Sequence, residues 1–202
     1  MSQTQTTKTI KAQLNDDFYN QTAQRLGVSP AEAKALIDQS LPTLVEGLAR
    51  NTQKKEGAEN LVKALAKHDG SLLETNEDFF EAKNLDEGDK ILKHILGDTR
   101  DDIAAALAVE TKTEPSQAKK TLAALSPMVM GALGKAVKSE KLNADQVTKI
   151  LKLAVQKRDF GAVAQSIAVL IWDKNNNGQF KDDLFEVGRR FLSRILNRSS
   201  KK

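Results

Sequence analysis

Ser126–Val137 reads SPMVMGALGKAV, and Leu41–Thr52 reads LPTLVEGLARNT. Laid one over the other, Pro127 falls on Pro42 at an offset of 85 residues, and the same shift puts Pro115 on Pro30. The chain has four prolines, so one shift pairs all of them. Eight of the 35 positions from 16 to 50 are identical under it: Asp16, Asp17, Ala23, Pro30, Ala33, Lys34, Pro42 and Leu48. Val62 then meets Val147. Farther on the register changes, because Gly88–Leu96 (GDKILKHIL) matches Gly188–Leu196 (GRRFLSRIL) at an offset of 100. The second copy therefore holds about 15 additional residues, most of them around Trp172–Gln179.

Any two amphipathic helices resemble each other, but proline placement and a paired-aspartate start are not products of hydrophobic patterning. The shift therefore reads as an internal duplication, of a unit longer than the common solenoid periods. The expected fold is all-α: a tandem duplicated multi-helix unit packed as one pseudo-symmetric body. Its parts are an N-terminal stretch 1–15, a first repeat 16–98, a second repeat 99–198 and a basic tail 199–202.

Local signals set the helices. Asp16 and Asp17 open a helix carrying Phe18, Thr22, Ala23 and Leu26, which Gly27 stops. Ser29-Pro30-Ala31-Glu32 combines an N-cap serine, a proline at the first helical position and the glutamate of a capping box. That helix is expected to end near Ser40, because Pro42 removes a backbone donor and crowds the preceding turn. A second helix, or a kink, then carries Leu44, Val45 and Leu48 until Gly57 breaks it. Leu61, Val62, Leu65 and Ala66 mark a further short helix, and Leu85–Leu96 another that closes at Gly97.

Composition excludes some chemistry. With no cysteine among 202 residues, disulfides, thiolate metal sites and cysteine nucleophiles are ruled out. The start, MSQTQTTKTIKAQ, lacks the apolar core of a secretory signal, and no apolar run is long enough for a membrane span. A cytoplasmic location is the expectation. The net charge of +4 is uneven: Gly188–Lys202 holds six basic and no acidic residues, whereas the rest of the chain is nearly neutral.

Gly88–Gly97 followed by Leu125–Gly134 resembles the YidB-like bacterial domains of unknown function, with their Gly-x-x-Ile-Leu-x-x-Ile-Leu-Gly helix and a later helix opening on Pro and Met. The resemblance covers roughly residues 85 to 187 and extends more weakly to the first copy. It implies a soluble all-helical fold and no established activity. The stretch Asp173–Asp183 is similar to the Asp/Gly-rich loop near the end of such domains, although Asn175, Asn176 and Asn177 stand where that loop is richer in Asp and Gly.

Two stretches carry candidate site residues. Asp173, Asn175, Asn177 and Gly178 occupy positions 1, 3, 5 and 6 of a calcium-loop signature, with Gln179 at position 7. Its twelfth position is Leu184 instead of a bidentate glutamate, so Asp182 or Asp183 would have to reach the ion, and calcium binding would be weak. The alternative is an Asn/Gly turn leading into an acidic helix start. The C-terminal helix carries Arg189, Arg190, Arg194 and Arg198 beside an apolar stripe of Phe185, Leu192, Ile195 and Leu196. It could lie on nucleic-acid phosphates or an anionic membrane surface, or it could be a docked helix whose cations favour its C-terminus. His68 and His94 are far apart in sequence and read as structural or surface groups. Gly131 and Gly134 read as close-packing positions.

These residues contain no zinc spacing, no Ser-His-Asp arrangement and no phosphate loop. The reading is a non-enzymatic helical interaction or scaffold protein with a protein partner or self-association. The alternatives are nucleic-acid binding through the basic helix and a weak calcium module.

Overall fold

A computed structural model of the chain describes residues 18–68 and 79–157, and among them every regular element is a helix. Residues 18–26 are helical (α1), and Gly27, with φ of +67°, ends them. Its left-handed backbone suits the one residue without a Cβ. α2 is Pro30–Asn51, and Ser29 caps it as the sequence predicts. The Ser29 hydroxyl accepts from the Glu32 backbone N–H at 3.2 Å, and the Ser29 N–H donates to Glu32 Oε2 at 2.7 Å.

α2 does not stop at Pro42, contrary to the expectation of a break near Ser40. A proline inside a helix costs about 3 kcal/mol. Beyond it lie Leu44, Val45 and Leu48, which are all but completely buried. Each such side chain gains about 1.5–3 kcal/mol on burial. Ending the helix would rotate that stripe away from the core, so tertiary burial outweighs the local penalty. The side chain beside the proline also contributes, as Thr43 Oγ1 donates to the Gln39 carbonyl at 2.8 Å.

The chain turns after Asn51 instead, where Thr52 closes the last turn with its hydroxyl on Ala49 O at 3.0 Å. Gly57, expected as a breaker, lies inside α3, Lys55–Leu65. A Cβ there would overlap the Asn51 carbonyl oxygen and stand 3.1 Å from its carbon. The glycine is thus needed for the tight reversal between α2 and α3, and its weak helix propensity is the smaller effect.

α4, Ala82–Leu96, leads through a 3₁₀ turn, Gly97–Thr99, into α5, Arg100–Thr111. α6, Pro115–Glu140, repeats the design of α2, with a proline at its first position and Pro127 in its interior. Gln117 Oε1 accepts from the Glu114 N–H at 2.9 Å, and Gln117 Nε2 donates to Leu26 O at 3.1 Å, tying the start of α6 to the end of α1. α7, Ala144–Lys157, begins with a reciprocal pair in which Asn143 and Gln146 each accept the other's backbone N–H at 2.9 Å.

The helices share one core. α6 is its axis, touching α2, α3, α4 and α5, and every residue from Thr121 to Gly131 is buried. α7 packs against α2 and α3. Across α6, Gly88 lets α4 press onto the Ala123 backbone, with Ile91, Leu92 and Ile95 buried behind it.

Candidate interaction groove

α3 and α4 diverge from a shared point. At that point Asn51, the last residue of α2, donates from Nδ2 to the carbonyls of His94 and Ile95 at 2.8 and 3.2 Å. The same residue meets Gly57 at the start of α3. Farther along, α3 and α4 rest on different parts of α6. The end of α3 lies against Gly134, whose Cβ would stand 2.6 Å from Leu65 O, whereas Gly88 of α4 lies against Ala123. Those two contact points are eleven residues apart on α6. At 1.5 Å per residue this is about 16 Å.

Packed neighbours lie about 8–10 Å apart, so the open end leaves a lane about one helix wide. The resulting groove has a volume of about 740 Å³. Its α3 wall presents Gly57, Asn60, Leu61 and Ala64, with His68 just past the helix end, and its α4 wall presents Glu87, Lys90, Ile91, His94 and Ile95. Both series follow the i, i+3, i+4, i+7 spacing of one helix face. Leu48 and Asn51 of α2 and Met130 of α6 complete the lining. The apolar residues are core side chains: Leu48, Leu61, Ile91, Ile95 and Met130 are all buried. The upper parts are polar, with Asn60, Glu87, Lys90 and His94 exposed. Lys90 Nζ lies 3.8 Å from Glu87 Oε2, a surface pair on one turn of α4.

His68 and His94, read from sequence as separate structural or surface groups, line this one groove from opposite walls. The signal that links them is their place beside apolar neighbours on one helix face, Leu61 and Ala64 for the first, Ile91 and Ile95 for the second. Asn51 and Asn60 were missed altogether, since a single asparagine near a helix end reads as a cap or a solvated residue. Gly134 does serve close packing, against the carbonyl end of α3. The proposed calcium residues Asp173, Asn175, Asn177, Gln179 and Asp183 lie outside the described residues, as do Arg189, Arg190, Arg194 and Arg198. Among the described residues, no three His, Asp or Glu side chains are grouped to hold a metal ion. Nor is any helix among them long and apolar enough to cross a membrane.

Two perturbed clusters lie away from the groove. Lys34 Nζ sits 4.9 Å above the Tyr19 ring and pairs with Asp38. Burial, then the Asp38 charge, raises the Tyr19 phenol above its ordinary value, and the bond to Asp38 raises Lys34. Lys119 Nζ, 2.7 Å from Asp101 Oδ1, lowers the Asp101 carboxyl. Both join neighbouring helices or turns at the surface, where such pairs contribute at most about 1 kcal/mol.

The chain belongs to a bacterial protein family of unknown function, DUF937, whose family model matches residues 8–136. YidB is a member of the same family. The match contains both stretches that carried the sequence resemblance, Gly88–Gly97 and Leu125–Gly134. It takes in the first half of the chain, where the resemblance was weaker, and stops at residue 136, well short of 187. It also contains the whole lining of the groove. No curated protein and no solved structure matches the chain.

Proposed function

We propose that this family member is a non-enzymatic interaction protein that takes an amphipathic helix of a partner protein into the α3–α4 groove. The observation that carries the reading is the lane itself: two helices splayed about 16 Å apart on α6, with buried apolar side chains beneath and polar ones above. A partner helix would meet Leu61, Ile91 and Met130 with apolar residues at i, i+3, i+4 and i+7, the helix-in-groove mode of recognition. Two degenerate copies of one unit, 16–98 and 99–198, supply the body in this reading. The matched proline starts and interior prolines of α2 and α6 support that description.

Ala64→Arg tests the proposal, because arginine keeps α3 helical while filling the groove from its wall. Tagged full-length wild type and variant, matched in helix content by circular dichroism, are used to capture proteins from a bacterial lysate. A partner held by wild type should be lost with Ala64→Arg, and a synthetic peptide of its amphipathic segment should compete with it. Equal capture by the two proteins, or capture by neither, refutes the reading.

A second reading rests on charge. Gly188–Lys202 carries six cations and no acid, a pattern suited to nucleic-acid phosphates. It predicts affinity for DNA or RNA that falls steeply with salt and is abolished when Arg189, Arg190, Arg194 and Arg198 become Gln. No binding at low salt eliminates it.

A further inference from the structure

The 85-residue offset lays α5 over α1, and the two helices differ on the side away from the core. In α1 the exposed positions include Asn20, Gln21 and Gln24; the same three positions in α5 are Ala105, Ala106 and Val109, exposed as well. α1 thus shows how this face is made when water covers it. In α5 the amides are gone, and Val109 is 82% exposed. A single apolar side chain on a surface is ordinary. Three of them in place of three amides on one helix face call for a cover.

The charges at the two ends of the face point to what that cover is. Asp102, Ala105, Ala106 and Val109 follow at i, i+3, i+4 and i+7, and Lys112 stands at the helix end, three residues past Val109. Asp101 is held by Lys119 Nζ at 2.7 Å, whereas neither Asp102 nor Lys112 has an ion pair among the described residues. An acid at one end and a base at the other make the face its own complement when a second α5 lies antiparallel on it. With the two-fold axis midway between Ala105 and Val109, Asp102 falls opposite the second copy's Lys112, and Ala105 opposite its Val109. The axis repeats both pairs on its other side. A parallel arrangement would instead set Asp102 against Asp102 and Lys112 against Lys112. Glu110 stays off the seam, on the side of α5 that faces Arg50 of α2 across a cleft of about 280 Å³.

We infer that α5 is a self-association surface, which pairs with α5 of a second copy in an antiparallel, two-fold seam running from Asp102 to Lys112. The seam is about 15 Å long. That is short for a permanent dimer, so the pairing is reversible and depends on concentration. It shares no residue with the lining of the α3–α4 groove, and the two readings therefore stand or fall separately.

Sedimentation equilibrium of the full-length protein tests the seam. Carried to about 1 mM, the range of so small a contact, the mass should rise from 22.2 kDa toward twice that value. Asp102→Lys and Lys112→Glu each set like charges opposite one another at both ends, so each variant alone should dimerise about tenfold more weakly or worse. Mixed in equal amounts, the two should recover wild-type affinity to within about threefold, because every pair across the mixed seam is again of opposite sign. Circular dichroism checks that helix content is kept. If Asp102→Lys loses helix, Ala105→Asn, Ala106→Gln and Val109→Gln together give α5 the face that α1 already carries as a helix. That triple variant should also dimerise about tenfold more weakly or worse. A monomer at every concentration overturns the inference, as does a mixture no tighter than its components or a triple variant that dimerises like wild type.

Discussion

Gly88→Ala puts the central packing to a quantitative test. The residue lies inside α4 at its crossing with α6, where an added Cβ would overlap Ala123 O and stand 2.7 Å from Ala123 C and 3.1 Å from its Cα. These are backbone atoms in the fully buried stretch of α6, so the side-chain adjustments that usually relieve overpacking are unavailable. α4 must lift by about 1 Å to reach ordinary contact distance, and a gap of that size forfeits a quarter to a half of each contact well. Behind the crossing, Ile91, Leu92 and Ile95 are 7%, 1% and 6% exposed, so all three lose contact together. At about 1.5–3 kcal/mol for each buried side chain, losing a quarter to a half of three comes to about 1–4.5 kcal/mol, with about 2–3 kcal/mol at its centre. Alanine returns about 0.5–1 kcal/mol through helix propensity. The net expectation is destabilisation by about 1–2 kcal/mol, or roughly 2–8 °C in Tm for a chain of this size. Thermal unfolding followed at 222 nm measures it, with Lys93→Ala on the exposed side of the same helix as the control. If Gly88→Ala melts at or above wild type, propensity alone governs the site and the close crossing of α4 and α6 is wrong.

Other outcomes follow from α2. Ser29→Ala should cost about 1 kcal/mol, read from urea midpoints at constant m, because it removes the acceptor for the Glu32 N–H. The bonds from Ser29 lower the Glu32 carboxyl below its ordinary value. Its contribution is therefore complete above about pH 4.3, where a free glutamate titrates, and is lost as the pH falls through the lowered folded value. Melting curves of Glu32→Gln and wild type should accordingly converge in acid; a constant gap down to strong acid contradicts the box. Pro42→Ala should stabilise the protein by about 1–3 kcal/mol, since α2 runs straight through that position and regains a backbone donor. A lower melting temperature would mean that the ring is needed for packing. Ser40 is fully buried, and its hydroxyl has no hydrogen-bond partner among the described residues. Ser40→Ala should gain about 1 kcal/mol in the same unfolding assay, and a loss would reveal a partner for that oxygen.

What could be read in advance was local. The Ser29 cap, the Gly27 and Gly97 stops and the α4 stripe each depend on a few adjacent residues, and each is found where the spacing puts it. Pro42 and Gly57 were misread for the opposite reason. Proline's cost is local, but the burial of Leu44, Val45 and Leu48 that outweighs it comes from helices far along the chain. Gly57 reads as a breaker until the Asn51 carbonyl is seen against it. The groove was hidden for a related reason: its parts come from positions 48–51, 57–68, 87–95 and 130, and each is ordinary within its own helix. Only the divergence of α3 and α4 on α6 makes a site of them, and divergence leaves no mark in periodicity.

The same geometry explains why Ser126–Val137 is so apolar beside its partner Leu41–Thr52. A helix with one solvent face keeps polar residues there, and α2 exposes Asp38, Gln39, Glu46 and Arg50. α6 has no such face from Thr121 to Gly131, since α2, α3, α4 and α5 surround it. Alanine, glycine and methionine therefore stand where α2 has Asp38, Gln39, Glu46 and Val45 at the 85-residue offset. Small residues admit α4 at Ala123 and α3 at Gly134, and those two approaches set how far apart the walls of the groove stand. Enlarging either contact point should tilt one wall relative to the other. The composition of that stretch thus bears on the shape of the groove as well as on core packing, through Ala123 and Gly134, which are not part of the groove lining.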